Sequence, residues 1–405
     1  MAKIDNLLQE TGGIDALPPQ LPNCLPLDKF QVVKLSEDVF FASQRLNGDK
    51  RCPYGVFPFS VAVDRNPNAA LARAQYEAAE RFALAAILDG HQLLSSYDVK
   101  SEHTFEYPVQ LVSPLSGQGR GKDTQYLRFS DTYNTTMKHI AVADVFAPFP
   151  ISKGECTWHP TTNGVAVGPD YDFAKIASFN EYIERHSIMH YWFESGASHL
   201  ITPSVILDAC MPESIFLNLL GYDLICLEIS TIVSIPVVLV LAKNRLAQYP
   251  YLVCSAGSAS SFSHAIRKAA QETIQTLIAV SGQTEQFLQW KAKGEILSSL
   301  DHRMYYFADP SKRRLIDEMI TDAIAESKCF SARPQVANEF TFTSLKKMGI
   351  GAAFVNLTPQ SWGESLYCVR CFSPNLMPLL VSEHMVKTGS RLSKPSRFGL
   401  PHPFP

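Results

Sequence analysis

Four glutamates stand in two pairs three residues apart, Glu77 with Glu80 and Glu181 with Glu184. On a helix that spacing puts both carboxylates of a pair on one face, within reach of one ion. A donor set of carboxylates alone suits Mg²⁺ rather than zinc. Mg²⁺ is commonly held by a few carboxylates together with substrate phosphates. Arg81 and Arg185, each next to such a pair, could then face phosphate oxygens. Glu272 and Gln275 repeat the spacing without the second charge. They suit hydrogen bonds to a ribose, a base or a metal-bound water.

The elements that must position these groups form a cassette. Ala70, Ala74, Glu77, Glu80 and Arg81 lie in ALARAQYEAAER. Ala174, Ser178, Glu181, Glu184 and Arg185 follow NGVAVGPDYD, and Ala265, Ala269, Glu272 and Gln275 lie in AIRKAAQETIQ. Each copy predicts a helix with two small residues ahead of the polar pair, so the helix can sit close to a neighbour. Polar turns precede them: Asn66-Pro67-Asn68, Pro169-Asp170 and Ser260-Ser261. The copies are about a hundred residues apart, too far for a short-period solenoid. The expectation is an α+β domain of three related strand-turn-helix layers around an acidic centre. One such helix alone reads as an exposed salt-bridged face. Three in one register, with small residues along the same face, point to a shared site.

Composition narrows the classes. The 405 residues are 46% apolar and 19% charged, as in an ordinary globular chain. A net charge of -3 speaks against a general nucleic-acid binder. Nine cysteines, spread from Cys24 to Cys371, make no disulfide framework, so a reducing cytoplasm is the simpler reading. Cys368 and Cys371 form one CxxC without a second ligand pair, and read as two half-buried strand thiols. The N-terminus lacks a signal sequence, and Ile229–Ala242, interrupted by Pro236, is too short to span a bilayer. That run reads as two buried strands around a turn. No membrane contact is expected. GxGxxG, Walker, kinase and GxSxG patterns are absent. The polar GQGRGKD loop neither follows a strand nor opens a helix. His186 and His190 lack a third ligand and are expected to pack against Trp192.

Along the chain, residues 1–49 read as a Pro- and Leu-rich arm followed by strands, a possible partner contact. Residues 50–385 read as the catalytic domain and 386–405 as a Pro-rich tail. Helices are expected from Asn68 into Leu88, past Arg185 to Trp192, between Pro203 and Leu220, and over much of Gln286–Lys328. Strands are expected over Phe30–Phe41, Leu224–Ala242, Gly351–Val355 and Leu366–Phe372.

TNGVAVG with NEYIER, YEAAER upstream and AIRKAAQETIQ downstream resemble the YcaO family of ATP-dependent peptide-backbone-modifying enzymes. SIPVV and VRCFSPNL are weaker echoes; in the latter Asn375 stands where a glycine is often found. The resemblance covers about residues 50 to 405. It implies that Glu77, Glu80, Glu181 and Glu184 are Mg²⁺ and phosphate-site residues and that Arg185, Glu272 and Gln275 contact ATP. A family arginine falls on Arg267 or Lys268. The chain ends PHPFP, and alternate prolines keep a segment extended at little entropic cost. In the azoline-forming branch of the family such a terminus reaches the active site, which makes Pro401, Pro403 and Pro405 the catalytic segment by resemblance. The implied reaction is cyclodehydration of Cys, Ser or Thr in a ribosomally made precursor peptide, by a subunit of a thiazole/oxazole-modified microcin synthetase. The implied partners are a leader-binding ThiF/E1-like protein and a flavin-dependent azoline dehydrogenase. The alternatives are a thioamide-forming YcaO enzyme and a non-catalytic nucleotide-binding scaffold.

Overall fold

The computed structural model describes residues 21–95, 98–99, 124–131, 138–149, 161–194, 196–232, 235–297, 299–330, 347, 349–379 and 396–404. Residues 1–20 of the arm, the GQGRGKD loop, residues 386–395 of the tail and Pro405 lie outside them.

Three sheets each carry one acidic helix. In the first, β1 (Leu27–Ser36), β2 (Val39–Leu46) and β3 (Phe59–Asp64) form an antiparallel meander. β3 leads into α1 (Pro67–Ala85). Asn66 caps that helix by accepting the N–H groups of Asn68 and Ala69, and Pro67 opens it. The second sheet has the order β4-β5-β13-β14-β7: β4 (Leu94–Ser95), β5 (Gln125–Asp131), β7 (Val165–Gly168), β13 (Ala353–Asn356) and β14 (Tyr367–Phe372). β6 (Lys138–Ala141) pairs with β5 off this path and runs into the short helix α2 (Val142–Val145). β7 leads through Pro169 and the cap Asp170 into α3 (Tyr171–Phe193).

The third sheet has the order β11-β10-β9-β8-β12. Its strands are β8 (His199–Ile201), β9 (Tyr222–Glu228), β10 (Val237–Asn244), β11 (Leu252–Ser258) and β12 (Lys328–Phe330). Between β8 and β9 runs α4 (Pro203–Leu219), kinked at Cys210 just before Pro212. β11 leads through the cap Ser261 into α5 (Phe262–Gly282). The helices α6 (Thr284–Ala292), α7 (Leu300–Ala308) and α8 (Arg313–Ala325) follow. The three expected cassettes thus share one plan: strand, polar cap, helix.

The small residues explain the close fit. Ala70 and Ala74 are fully buried among Ala42 and Ala62 of the first sheet. A Cβ on Gly168 would fall 3.0 Å from the Ala174 nitrogen. On Gly257 it would fall 2.7 Å from the Ala265 carbonyl and 2.6 Å from the Ala269 nitrogen. Each strand is therefore fitted to the backbone of the helix that follows it.

The layers also close on one another. α1 packs against β7 of the second layer, α3 against β11 of the third, and α5 against β3 of the first. The largest core lies between the second and third sheets around α3, with Phe179, Ile183, Trp192, Leu227, Leu239, Phe354 and Val369 buried together. Each such side chain contributes about 2 kcal/mol by leaving water.

Several local expectations change. The described residues of Ile229–Pro236 form no strand; the apolar run holds β10 after them, and β9 precedes it. The first helix stops at Ala85 rather than Leu88. Cys368 and Cys371 are fully buried rather than half-buried. Three residues apart on β14, they point into different cores, so they cannot share a metal or a disulfide. His186 accepts the Met377 N–H at 3.0 Å instead of packing on Trp192, and its ring lies 5.9 Å from that of His190. Among the described residues no helix is long and apolar enough to cross a membrane.

Candidate functional site

The acidic faces of the three helices converge where the layers meet. On α1, Glu77 accepts from Arg81 Nη2 at 2.6 Å and from the Val61 N–H of β3 at 3.1 Å. Glu80 reaches the next layer and accepts the Val167 N–H of β7 at 3.1 Å. On α3, Glu184 does the same one layer on: its Oε2 accepts the Ser258 N–H of β11 at 2.8 Å, the Ser258 hydroxyl at 3.0 Å and Lys268 Nζ at 2.9 Å. Arg185 lies 3.9 Å from both Glu181 Oε1 and Glu184 Oε1. Lys268 also stands 3.6 Å from Glu272 Oε1 on its own helix.

The third cassette thus brings Lys268 to the carboxylates, whereas Arg267 makes no ion pair among the described residues. Gln275 is half-buried without a hydrogen bond to them. Arg81 and Arg185 face glutamates of their own helices.

Charge is divided unevenly. Burial raises the Glu80 carboxyl well above its ordinary range, and the charges of Glu181 and Glu77 push it further. Glu181 is pushed up to about 7, first by burial, with Glu184 and Glu272 adding to it against Arg185 and Lys268. The two ExxE pairs, on separate helices, therefore feel each other directly. Burial also raises Glu272. Glu184 is the exception: burial opposes its charge, but Lys268, Arg185 and the Ser258 hydroxyl overcome that and hold it below the ordinary range.

Glu80, Glu181 and Glu272 are short of positive charge at neutral pH, which is the condition a divalent cation relieves. Hard oxygens from Glu77, Glu80 and Glu181 fit Mg²⁺. Among the described residues no three side chains form a ready-made metal cage.

Two further arrangements surround the acidic faces. Arg73 on α1 donates to Gln271 Oε1 on α5 at 2.6 Å, and Gln271 donates to Glu213 on α4 at 3.0 Å. Glu213 takes Arg65, at the end of the first sheet, at 2.8 Å. This network ties the third layer back to the first.

The terminal segment is the other. His402, Pro403 and Phe404 are buried, and Pro401 is half-buried. Pro403 lies beside Thr276 and Val280 of α5, Cys254 of β11 and Phe307 of α7. Thr276 donates its hydroxyl to the Glu272 carbonyl at 2.9 Å, so the segment passes one turn from the acidic face. Pro405 lies outside the described residues.

A family model described as YcaO cyclodehydratase, ATP- and Mg²⁺-binding, matches residues 63–377. The chain belongs to the YcaO family. No curated protein matches it. Among solved structures, YcaO from Methanopyrus kandleri bound with AMPPCP and Mg²⁺ superposes with a TM-score of 0.65 at 13% identity, over 96% of this chain and 94% of that one. A chain of the E. coli microcin synthetase McbBCD complex superposes with 0.67 at 14% identity, over 97% and 100%. The same complex with pro-MccB17 bound gives 0.63 at 14% identity, over 97% and 100%. These likenesses show a shared α+β fold. ATP and Mg²⁺ are the cofactors of a YcaO protein.

Proposed function

We propose that this YcaO protein converts Cys, Ser or Thr residues of a ribosomally made precursor peptide to thiazoline or oxazoline at the cost of ATP. The observation that carries the reading is the meeting of Glu80 and Glu181 from two helices beside Lys268 and Glu272 of a third, with the PHPFP segment packed on that third helix. The substrate side chain loses its thiol or hydroxyl proton to solvent as it adds to the preceding backbone carbonyl, and the resulting oxyanion attacks the γ-phosphorus of ATP. The bond to ADP breaks, phosphate leaves with the former amide oxygen, and the amide proton is lost as C=N forms.

Glu77, Glu80 and Glu181 would hold Mg²⁺, with Glu184 presenting Lys268 and Arg185 beside them. Bound there, Mg²⁺ supplies positive charge against the transferring phosphate. Lys268 and Arg185 stand where phosphate oxygens could exchange for their present carboxylate partners. Gln275, without a hydrogen-bond partner among the described residues, suits a ribose or base. Pro401 and Pro403 hold the end of the chain extended beside α5, a placement that would orient the substrate amide. We assign this work to a catalytic domain over residues 50–385. The E. coli relative is part of a multi-subunit synthetase. By analogy this chain works with a separate leader-binding ThiF/E1-like protein, and a flavin-dependent dehydrogenase then oxidises azoline to azole.

The test pairs calorimetry with mass. The wild type should bind AMPPCP with Mg²⁺, and Glu181→Gln should weaken that binding by about tenfold or more, about 1.4 kcal/mol, without lowering thermal stability. A precursor co-expressed with the chain and its partner should lose one water per ring. Replacement of oxygen by sulfur would select the thioamide chemistry. AMPPCP binding without any peptide modification would select the scaffold, and no AMPPCP binding overturns the reading.

A further inference from the structure

The end of the chain is tied down at a place away from the acidic centre. Trp192, in the last turn of α3, makes two hydrogen bonds to it in opposite senses. Its carbonyl accepts the Arg397 N–H at 2.9 Å, and its indole Nε1 donates to the Leu400 carbonyl at 3.1 Å. The segment between turns at Gly399, whose φ is +65°, and Ser396 Oγ closes the turn by donating to the Leu400 carbonyl. Phe398 packs edge-on to the Trp192 ring at 4.9 Å.

Arg397 fixes this turn to two other elements. Its Nε donates to Glu326, just beyond α8, at 2.8 Å, and its Nη1 to the Gly196 carbonyl at 3.1 Å. Its guanidinium also lies over the Tyr191 ring at 4.9 Å. The Arg397 side chain is 10% exposed and that of Glu326 52% exposed. Beyond the turn, Arg303 Nη1 on α7 donates to the His402 carbonyl at 3.5 Å, and Pro403 then meets Thr276.

These contacts share a geometric result. α3 carries Glu181 and Glu184 upstream and holds the turn of the terminal segment at its far end. The same helix thus sets the acidic centre and the register of the chain that passes α5. An extended segment has no internal hydrogen bonds to fix its register, so the fixing must come from such outside contacts. We propose that Arg397 and Glu326, with Trp192 as the post, form a latch that positions the PHPFP segment, and that both are positioning residues for ring formation. The catalytic half of the proposal rests on the function proposed above; the structural half does not.

The full-length variants Arg397→Glu and Glu326→Arg separate the halves. Trp192 is left intact because it is a core residue. Hydrogen exchange by mass spectrometry is read over residues 397–404, AMPPCP binding with Mg²⁺ by calorimetry, and ring formation on a co-expressed precursor by mass. Each single variant should speed exchange across 397–404 by about tenfold and lower the ring-forming kcat similarly, with AMPPCP affinity unchanged. Combining the two restores an ion pair in reversed sense and should recover both. Unchanged exchange in the single variants overturns the latch. Faster exchange with an unchanged kcat overturns the positioning role, and loss of AMPPCP binding together with faster exchange along α3 shows a merely structural residue. If the wild type forms no ring at all, the functional reading fails, and the exchange arm still decides the latch.

Discussion

Glu80 Oε1 on the first acidic helix accepts the backbone N–H of Val167 on the strand of the second layer, and Glu184 accepts that of Ser258 on the strand of the third. The two glutamates hold the same place in their cassettes. Each therefore joins its layer to the next through one carboxylate oxygen, and for Glu80 the other is left for the centre. Glu80→Gln keeps an acceptor for Val167 but removes the charge. It should leave the melting temperature within about 2 °C while AMPPCP affinity with Mg²⁺ falls by about tenfold. Glu80→Leu should cost about 2 kcal/mol as well, because it orphans a buried N–H. Equal destabilisation by both variants with intact affinity would make Glu80 a purely structural clamp.

Lys268 and Arg267 are neighbours with opposite expected effects. Glu184 is 1% exposed and depends on Lys268 for its charge. Lys268→Met leaves that carboxylate buried beside Arg185 alone, and should cost about 3 kcal/mol in urea unfolding. Arg267→Met should change stability by about 0.5 kcal/mol or less. The reverse order would place the family's basic residue on Arg267.

The fit of strand to helix predicts a penalty at Gly257. The atoms nearest an added Cβ belong to the α5 backbone, which cannot swing aside as a side chain would. Gly257→Ala should cost about 2 kcal/mol, measured by chemical denaturation. A neutral result would mean that α5 can lift from β11 freely.

Asp309 gives a pH signature outside the site. It is buried, accepts the Ser311 N–H at 2.9 Å and pairs with Lys291 at 2.8 Å. Burial opposes its charge, but Lys291 and the Ser311 hydrogen bonds hold the carboxyl below its ordinary value. Its stabilisation is therefore complete above the unfolded value of about 4 and is lost as pH falls through the lower folded value. The melting temperature of wild type should exceed that of Asp309→Asn from about pH 5 upward. The gap should close as the pH drops below about 4. A gap that is constant from pH 3 to pH 7 would show that Asp309 is not held in this way.

Much of the architecture was legible because its signals are local. Asn66, Asp170 and Ser261 cap the helices that the small-residue and glutamate spacing predicts, and Asp309 opens the turn expected of Asp309-Pro310. What the spacing missed joins distant positions. Glu213 and Arg65 are 148 residues apart, and Trp192 and Leu400 are 208 apart. No periodicity announces such a pair. In the tail, prolines and glycines signal the absence of a helix or strand. They say nothing about burial, yet Phe404 is 1% exposed within the main core. Removing Pro403 and Phe404 would thus excise core material.

The contacts of α1 with β7, α3 with β11 and α5 with β3 return to where they began. A linear stack of repeats has two outer faces and needs special terminal units to cover them. A circuit of three has none. It can be neither lengthened by a fourth unit nor shortened to two without opening a seam through its middle, and that seam is the acidic centre. The number of layers is therefore held fixed by the same surface that gathers the glutamates of the three helices.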